Sequence, residues 1–172
     1  NKDWKPIGGG DGSATTTYFD GTFDGQGFTI SNFTIDASYN YAGLFGYLKE
    51  NASVKDLRVK QATVSSSSTN VGGIVGTLAA GKIENCSFSG SVTSSKSNGY
   101  AGGIAGYVGN ASSPTPIVQN CVNTGTVSAS TSGYAGGITG YAKYASITNC
   151  YNTGAITGTT RAGGIAGQMQ NN

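Results

Sequence analysis

Five times in 172 residues the chain returns to one short glycine-rich segment, and this recurrence limits its possible folds more than any other feature. Gly43-Leu44-Phe45-Gly46 reappears as Gly73-Ile74-Val75-Gly76, Gly103-Ile104-Ala105-Gly106, Gly137-Ile138-Thr139-Gly140 and Gly164-Ile165-Ala166-Gly167. The spacing of 27 to 34 residues is that of stacked structural repeats. A second motif follows the first four copies: Val54-Lys55-Asp56-Leu57, Ile83-Glu84-Asn85-Cys86, Val118-Gln119-Asn120-Cys121 and Ile147-Thr148-Asn149-Cys150. A third then falls at Val64, Gly90-Ser91-Val92, Gly125-Thr126-Val127 and Gly154-Ala155-Ile156.

Apolar runs this short, bounded by Gly, Asn and Ser, are strands and not helices. With Gly, Ser, Thr, Asn and Tyr abundant and only three Pro, the sequence predicts an all-β chain with almost no helix. Three strand pieces per period make one triangular coil, and the array is a parallel β-solenoid of about five coils. A lone coil cannot bury its own apolar positions. Stacking coils about 4.8 Å apart pairs each strand with the rung above and aligns Leu44, Ile74, Ile104, Ile138 and Ile165 in one interior file. The same alignment puts Asp56, Asn85, Asn120 and Asn149 at a corner, where side-chain amides can bond from rung to rung. Leu57, Cys86, Cys121 and Cys150 then share a position, so the three cysteines read as small apolar core residues, reduced and slow to react, the alternative being a disulfide between adjacent rungs. Length variation at 65–69, 94–99, 111–116 and 128–133 is expected in protruding loops.

Residues 19–35 alternate apolar and polar side chains without copying the repeat. We expect one solenoid domain over 1–172, with 1–36 as an opening coil that caps the core and 37–172 as repeats, the last incomplete. The blocks Tyr41-Ala42-Gly43-Leu44-Phe45-Gly46-Tyr47, Val71-Gly72-Gly73-Ile74-Val75-Gly76 and Asn149-Cys150-Tyr151-Asn152-Thr153-Gly154 resemble the GLUG repeat of bacterial cell-surface proteins. That repeat occurs in large secreted proteins of gut bacteria and, outside the catalytic domains, in some IgA-cleaving metallopeptidases. Gly21-Thr22-Phe23-Asp24-Gly25-Gln26-Gly27-Phe28-Thr29-Ile30 is similar to the first coil of many pectin-lyase-like β-helices. The resemblance implies a right-handed, three-sided β-helix, and an extracellular, cell-surface scaffold or adhesin segment adjoining other domains of a longer chain.

Several functions are disfavoured by composition. A formal net charge of +2 with no basic run lacks the electrostatic footprint of nucleic-acid binding. No apolar stretch approaches the ~20 residues of a membrane-spanning helix, so no membrane insertion is expected in this segment. There is no His, and no Asp or Glu follows Glu84, which removes the commonest general base and leaves half the chain without a carboxylate. We therefore expect no enzyme, no catalytic residue, no cofactor and no metal; a β-helical polysaccharide lyase or hydrolase is the weaker alternative. Asp20 and Asp24 read as turn chemistry, with calcium binding left open. Lys55 and Glu84 sit on adjacent rungs as an expected surface ion pair.

Tyrosine carries the remaining functional signal. Tyr47, Tyr107 and Tyr141 follow the last glycine of the motif, while Tyr100 and Tyr134 precede its Ala-Gly-Gly step. Aromatics at matching positions on successive rungs form files that stabilise the sheet by stacking on one another. The alternative is a carbohydrate-binding face for a host or bacterial surface glycan, against a protein partner for the loops.

Overall fold

The structure, a computed structural model, describes residues 4–9, 17–36, 39–109 and 114–170. Part of the insertion expected at 111–116 lies outside these residues. Among the described residues every regular element is a β-strand, and every strand pairing is parallel. No helix is long and apolar enough to cross a membrane.

The strands stack in four sheets. The first contains Tyr41–Ala42, Asn70–Gly72, Tyr100–Gly102, Tyr134–Gly136 and Arg161–Gly163. The second contains Phe45–Leu48, Val75–Leu78, Ala105–Gly109, Thr139–Lys143 and Ala166–Gln170. The third runs through Thr22–Asp24, Ser53–Lys55, Lys82–Glu84, Ile117–Gln119 and Ser146–Thr148. The fourth is built on Arg58–Ser66 and Ser87–Ser94, continued by the paired short strands of the later coils. The chain is a parallel β-solenoid of about five turns.

Four strand files where the sequence suggested three have a local cause. The glycine motif is not one strand but two, divided by a corner at Gly-Ile. At that corner Gly103, Ile104 and Ala105 donate to carbonyls of the next coil, with Ala105 N to Ile138 O at 2.9 Å. A Cβ on Gly102 would strike the carbonyl of Ala105, and one on Gly103 would strike both the Gly137 carbonyl and the Asn123 side chain. Neither glycine has an unusual φ; both are needed for space.

The second corner is held differently. Asp56, Asn85, Asn120 and Asn149 all adopt the left-handed conformation, with φ between 51° and 53°. Asn and Asp tolerate this region better than other side chains. Asn85 Nδ2 donates to Asp56 Oδ1 and Asn120 Nδ2 to Asn85 Oδ1, both at 3.0 Å, so the expected ladder forms on exposed ground from Asp56 to Asn120. An interior amide ladder was not anticipated: Asn123, fully buried, donates to Asn152 Oδ1 at 2.7 Å and closes a loop onto Gly125.

The core files follow the alignment. Leu44, Ile74, Ile104 and Ile138 are completely buried, whereas Ile165 on the last coil is 36% exposed because nothing described lies beneath it. The opening residues form a lid at the other end. Phe19 and Phe23 each pack on Phe45 at 5.3 Å, Trp4 lies 5.9 Å from Phe33, and its indole N–H donates to Leu44 O. Thr22–Asp24 extends the third sheet above Ser53–Lys55, so the lid is a coil in register as well as a cap.

The serine-rich stretches begin as strand, not loop. Ser66 and Ser94 end long strands with buried side chains and Ser68 is also buried, while Ser67, Thr69 and the turns at 95–98 and 130–132 face outward. The period-2 alternation of the strand continues into them, which a composition reading misses.

Ile104→Ala is expected to cost about 2–5 kcal/mol as a mid-array truncation, and Ile165→Ala under about 1 kcal/mol, in denaturant unfolding. Equal losses would contradict an interior file with one open end.

Candidate functional site: the tyrosine files and their gap

In each Tyr-Ala-Gly strand alanine points to the core, so tyrosine points out. The second sheet brings its own outward tyrosine alongside, two residues past a buried one. Two files result, running side by side down one face. The first reads Tyr41, Asn70, Tyr100, Tyr134, Arg161; the second reads Tyr47, Thr77, Tyr107, Tyr141, with Gln168 at the end.

Tyr100, Tyr107, Tyr134 and Tyr141 form one stack. Tyr107 and Tyr141 lie 5.6 Å apart with planes 6° from parallel, Tyr100 and Tyr134 5.6 Å apart at 11°, and Tyr100 meets Tyr141 at 5.0 Å. All four are partly buried. The lower end is closed by the Arg161 guanidinium, 5.2 Å above the Tyr134 ring. These contacts match the expected self-stacking, which leaves Tyr107 and Tyr141 without free faces toward each other. Tyr47 pairs instead with Tyr41 across the coil at 4.9 Å. Burial first, and neighbouring phenols second, raise the pKa values of Tyr47, Tyr100 and Tyr107 above the ordinary tyrosine value.

Between the pair and the stack, one rung carries no tyrosine. Asn70 and Thr77 occupy its two positions, and Asn70 Nδ2 donates to Thr77 Oγ1 at 2.7 Å. The missing rings leave a notch of about 440 Å³, bordered by Tyr41, Tyr47, Tyr100 and Tyr107. Asn70 Oδ1 is buried and has no hydrogen-bond partner. Sequence reasoning named the tyrosines other than Tyr41 but not Asn70 or Thr77. The available signal was the break in the repeat, Asn70-Val-Gly where its neighbours read Tyr-Ala-Gly.

A second recess, of about 470 Å³, is lined by Asp24, Gln26, Gly27, Asp56, Arg58 and Asn85. It brings together carboxylates that lie far apart in sequence, and the sequence reading missed it. Their polar groups are engaged. Lys55 Nζ lies 2.9 Å from Asp24 Oδ2, Gln26 N donates to Asp24 Oδ1, and Arg58 Nη1 donates to Gly27 O. The Lys55 ammonium, then the Gln26 N–H, hold the exposed Asp24 carboxyl below its usual range. The expected Lys55–Glu84 ion pair does not form: the Lys55 ammonium is taken by Asp24, and Glu84 takes Lys82 at 2.9 Å and the Gln119 amide at 2.7 Å. Among the described residues no three His, Cys, Asp or Glu side chains converge to hold a metal ion, and Asp24 serves a turn.

The cysteines stack as aligned and are all free thiols. Cys86 and Cys121 are buried, and each donates to the carbonyl two residues before it, at 3.1 Å. Cys150 departs from expectation, being only partly buried on the last coil. The Cys121 thiol beside it lowers its pKa to about 7, although partial burial acts in the other direction.

A stacked parallel array with outward aromatic files and a capped first coil defines a β-solenoid repeat protein. The chain belongs to the GLUG motif family, whose description matches residues 67–93, 97–128 and 131–157, half of its length. Over 97 residues it is 40% identical to halomucin of Haloquadratum walsbyi, covering 56% of this chain and 1% of halomucin. A crystal structure from Bacteroides ovatus, of a protein provisionally named an immunoglobulin A1 protease, matches with a TM-score of 0.81 and 31% identity. That match covers 99% of this chain and 52% of the other, so the chain spans about half of that structure and a small fraction of halomucin.

Cys150 should label with a thiol reagent in the native protein well before Cys86 and Cys121, as read by mass spectrometry of the modified peptides. Equal rates would contradict the burial gradient. Alkaline titration should show part of the ten tyrosines ionising above the ordinary value near 10. Their folded pKa values are raised, so their stabilisation is complete below the unfolded value and is lost as pH rises through the folded one. Melting temperature should accordingly fall above about pH 10, and a flat profile there would count against the stack.

Proposed function

We propose that this chain is a non-catalytic structural segment of an extracellular surface protein, a rigid body that displays loops and an aromatic face. One observation carries the reading: the ladders pair residue for residue from coil to coil, with one bulge at Gln61 where the fourth sheet shifts by a residue, so the repeats serve to hold outward side chains at fixed spacing. The GLUG repeats and the similarity to halomucin support a surface location. The expectation of an adhesin rests on the displayed face and not on any assigned partner.

A β-helical lyase or hydrolase is the second reading, favoured by the meeting of Asp24, Asp56, Lys55 and Arg58 in one recess. The Lys55-bound, ionised Asp24 is a poor proton donor, and Asp56 is bonded to Asn85.

An antibody against the segment should label intact cells of the source organism, and labelling only after permeabilisation would reject the surface placement. Incubation with polyuronates should release no unsaturated or reducing ends. Turnover that disappears in Asp24→Asn and Asp56→Asn, with the fold retained, would establish the enzyme instead.

A further inference from the structure

The gap in the tyrosine files goes beyond a scaffold role. We propose that the notch over Asn70 and Thr77 is a binding slot for one pyranose ring of a glycan, held between the Tyr41–Tyr47 pair above and the Tyr100–Tyr107 pair below. Elsewhere in the file each rung's tyrosines are covered by those of the next. Here two rungs separate the aromatic walls, about 9.6 Å by the spacing of parallel strands, so a ring midway would sit about 4.8 Å from each wall. The tyrosines of the stack keep centroid separations of 5.0 to 6.4 Å from one another. The slot therefore takes one ring and no second.

The floor distinguishes a sugar from an aromatic side chain. Asn70 gives one amide hydrogen bond to Thr77 and leaves its oxygen buried without a partner. Turning the amide over exchanges which atom is unpaired, not whether one is. A buried polar atom without a partner carries a free-energy cost, and a ligand that satisfies it recovers that cost. The terminal torsion of Asn is soft, so a small rotation brings the unpaired atom to the notch. A pyranose offers what both surfaces need: C–H groups on its two faces to pack against phenol rings, and hydroxyls at its edge for the amide. A phenyl ring fills the same width but leaves the amide unpaired, and a phenol offers one hydroxyl, at the far end of its ring, where a pyranose carries hydroxyls all round its edge. The Asp24 recess is the contrasting case, its polar groups being taken by one another.

Saturation-transfer NMR on the intact chain tests this with methyl glycosides of glucose, galactose, mannose and N-acetylglucosamine, and with p-cresol as a tyrosine side-chain mimic. At least one glycoside should receive saturation, strongest at its ring C–H protons. Asn70→Tyr refills the missing rung and should abolish the signal while the melting temperature holds or rises. Asn70→Ala keeps the walls but removes the amide, and should weaken binding by about 3- to 10-fold, the loss of one hydrogen bond. Saturation of no glycoside, a signal that survives in Asn70→Tyr, or p-cresol binding with the glycosides silent would each overturn the proposal; the last would assign the slot to an aromatic residue of a protein partner. None of these outcomes bears on the surface placement, which the cell-labelling experiment tests separately.

Discussion

The close approach of backbone to backbone at the Gly-Gly corner is the constraint on which the rest depends. Successive coils can hydrogen-bond through this corner only if no Cβ intrudes, and Gly102 and Gly103 meet carbonyl oxygen of their own coil and of the next. Once the corner is fixed, the register of the two flanking strands follows. That register places alanine, valine and isoleucine inside and, on three of the five rungs, tyrosine outside. Hydrophobic burial stabilises the stack, but glycine at the corner determines which residues become neighbours.

The two kinds of corner use different means to turn the chain. The glycine corner depends on space, and the Asn corner on a left-handed backbone that Asn and Asp accept while their side chains bond along the stack. Asp56 heads that ladder as an acceptor only, consistent with a donated amide arriving from below. Within the core, Asn123 stands in register with Phe88, a large apolar side chain exchanged for a hydrogen-bonded amide. The exchange costs little because the Asn123 amide bonds Gly125 on both its donor and acceptor sides and also reaches Asn152.

What could be read from the sequence was whatever repeats. Leu44, Ile74, Ile104 and Ile138 declare the interior file by recurrence alone, and Leu57 assigns the cysteines of the following coils to the core by alignment. The position of a residue within the stack could not be read that way. Ile165 and Cys150 carry the same motif letters as their buried counterparts, yet exposure depends on what lies above and below them. Contacts between long polar side chains were equally hidden: Lys55 reaches Asp24 and not Glu84, a choice of rotamer among several neighbouring charges. The notch was hidden for the opposite reason, since it consists of a departure from the repeat, and a reading tuned to recurrence passes over the copy that differs.

The rung spacing also sets what such a body can measure. About 30 residues advance this stack by one rung, about 4.8 Å, whereas a helix covers that distance in little more than three residues. Reach per residue is therefore poor, and the return lies in a surface ruled at constant pitch. A ligand that contacts several coils at once has to be commensurate with that ruling. Polymers whose own repeat matches a multiple of the pitch can engage successive rungs in phase, while others drift out of step within a few units.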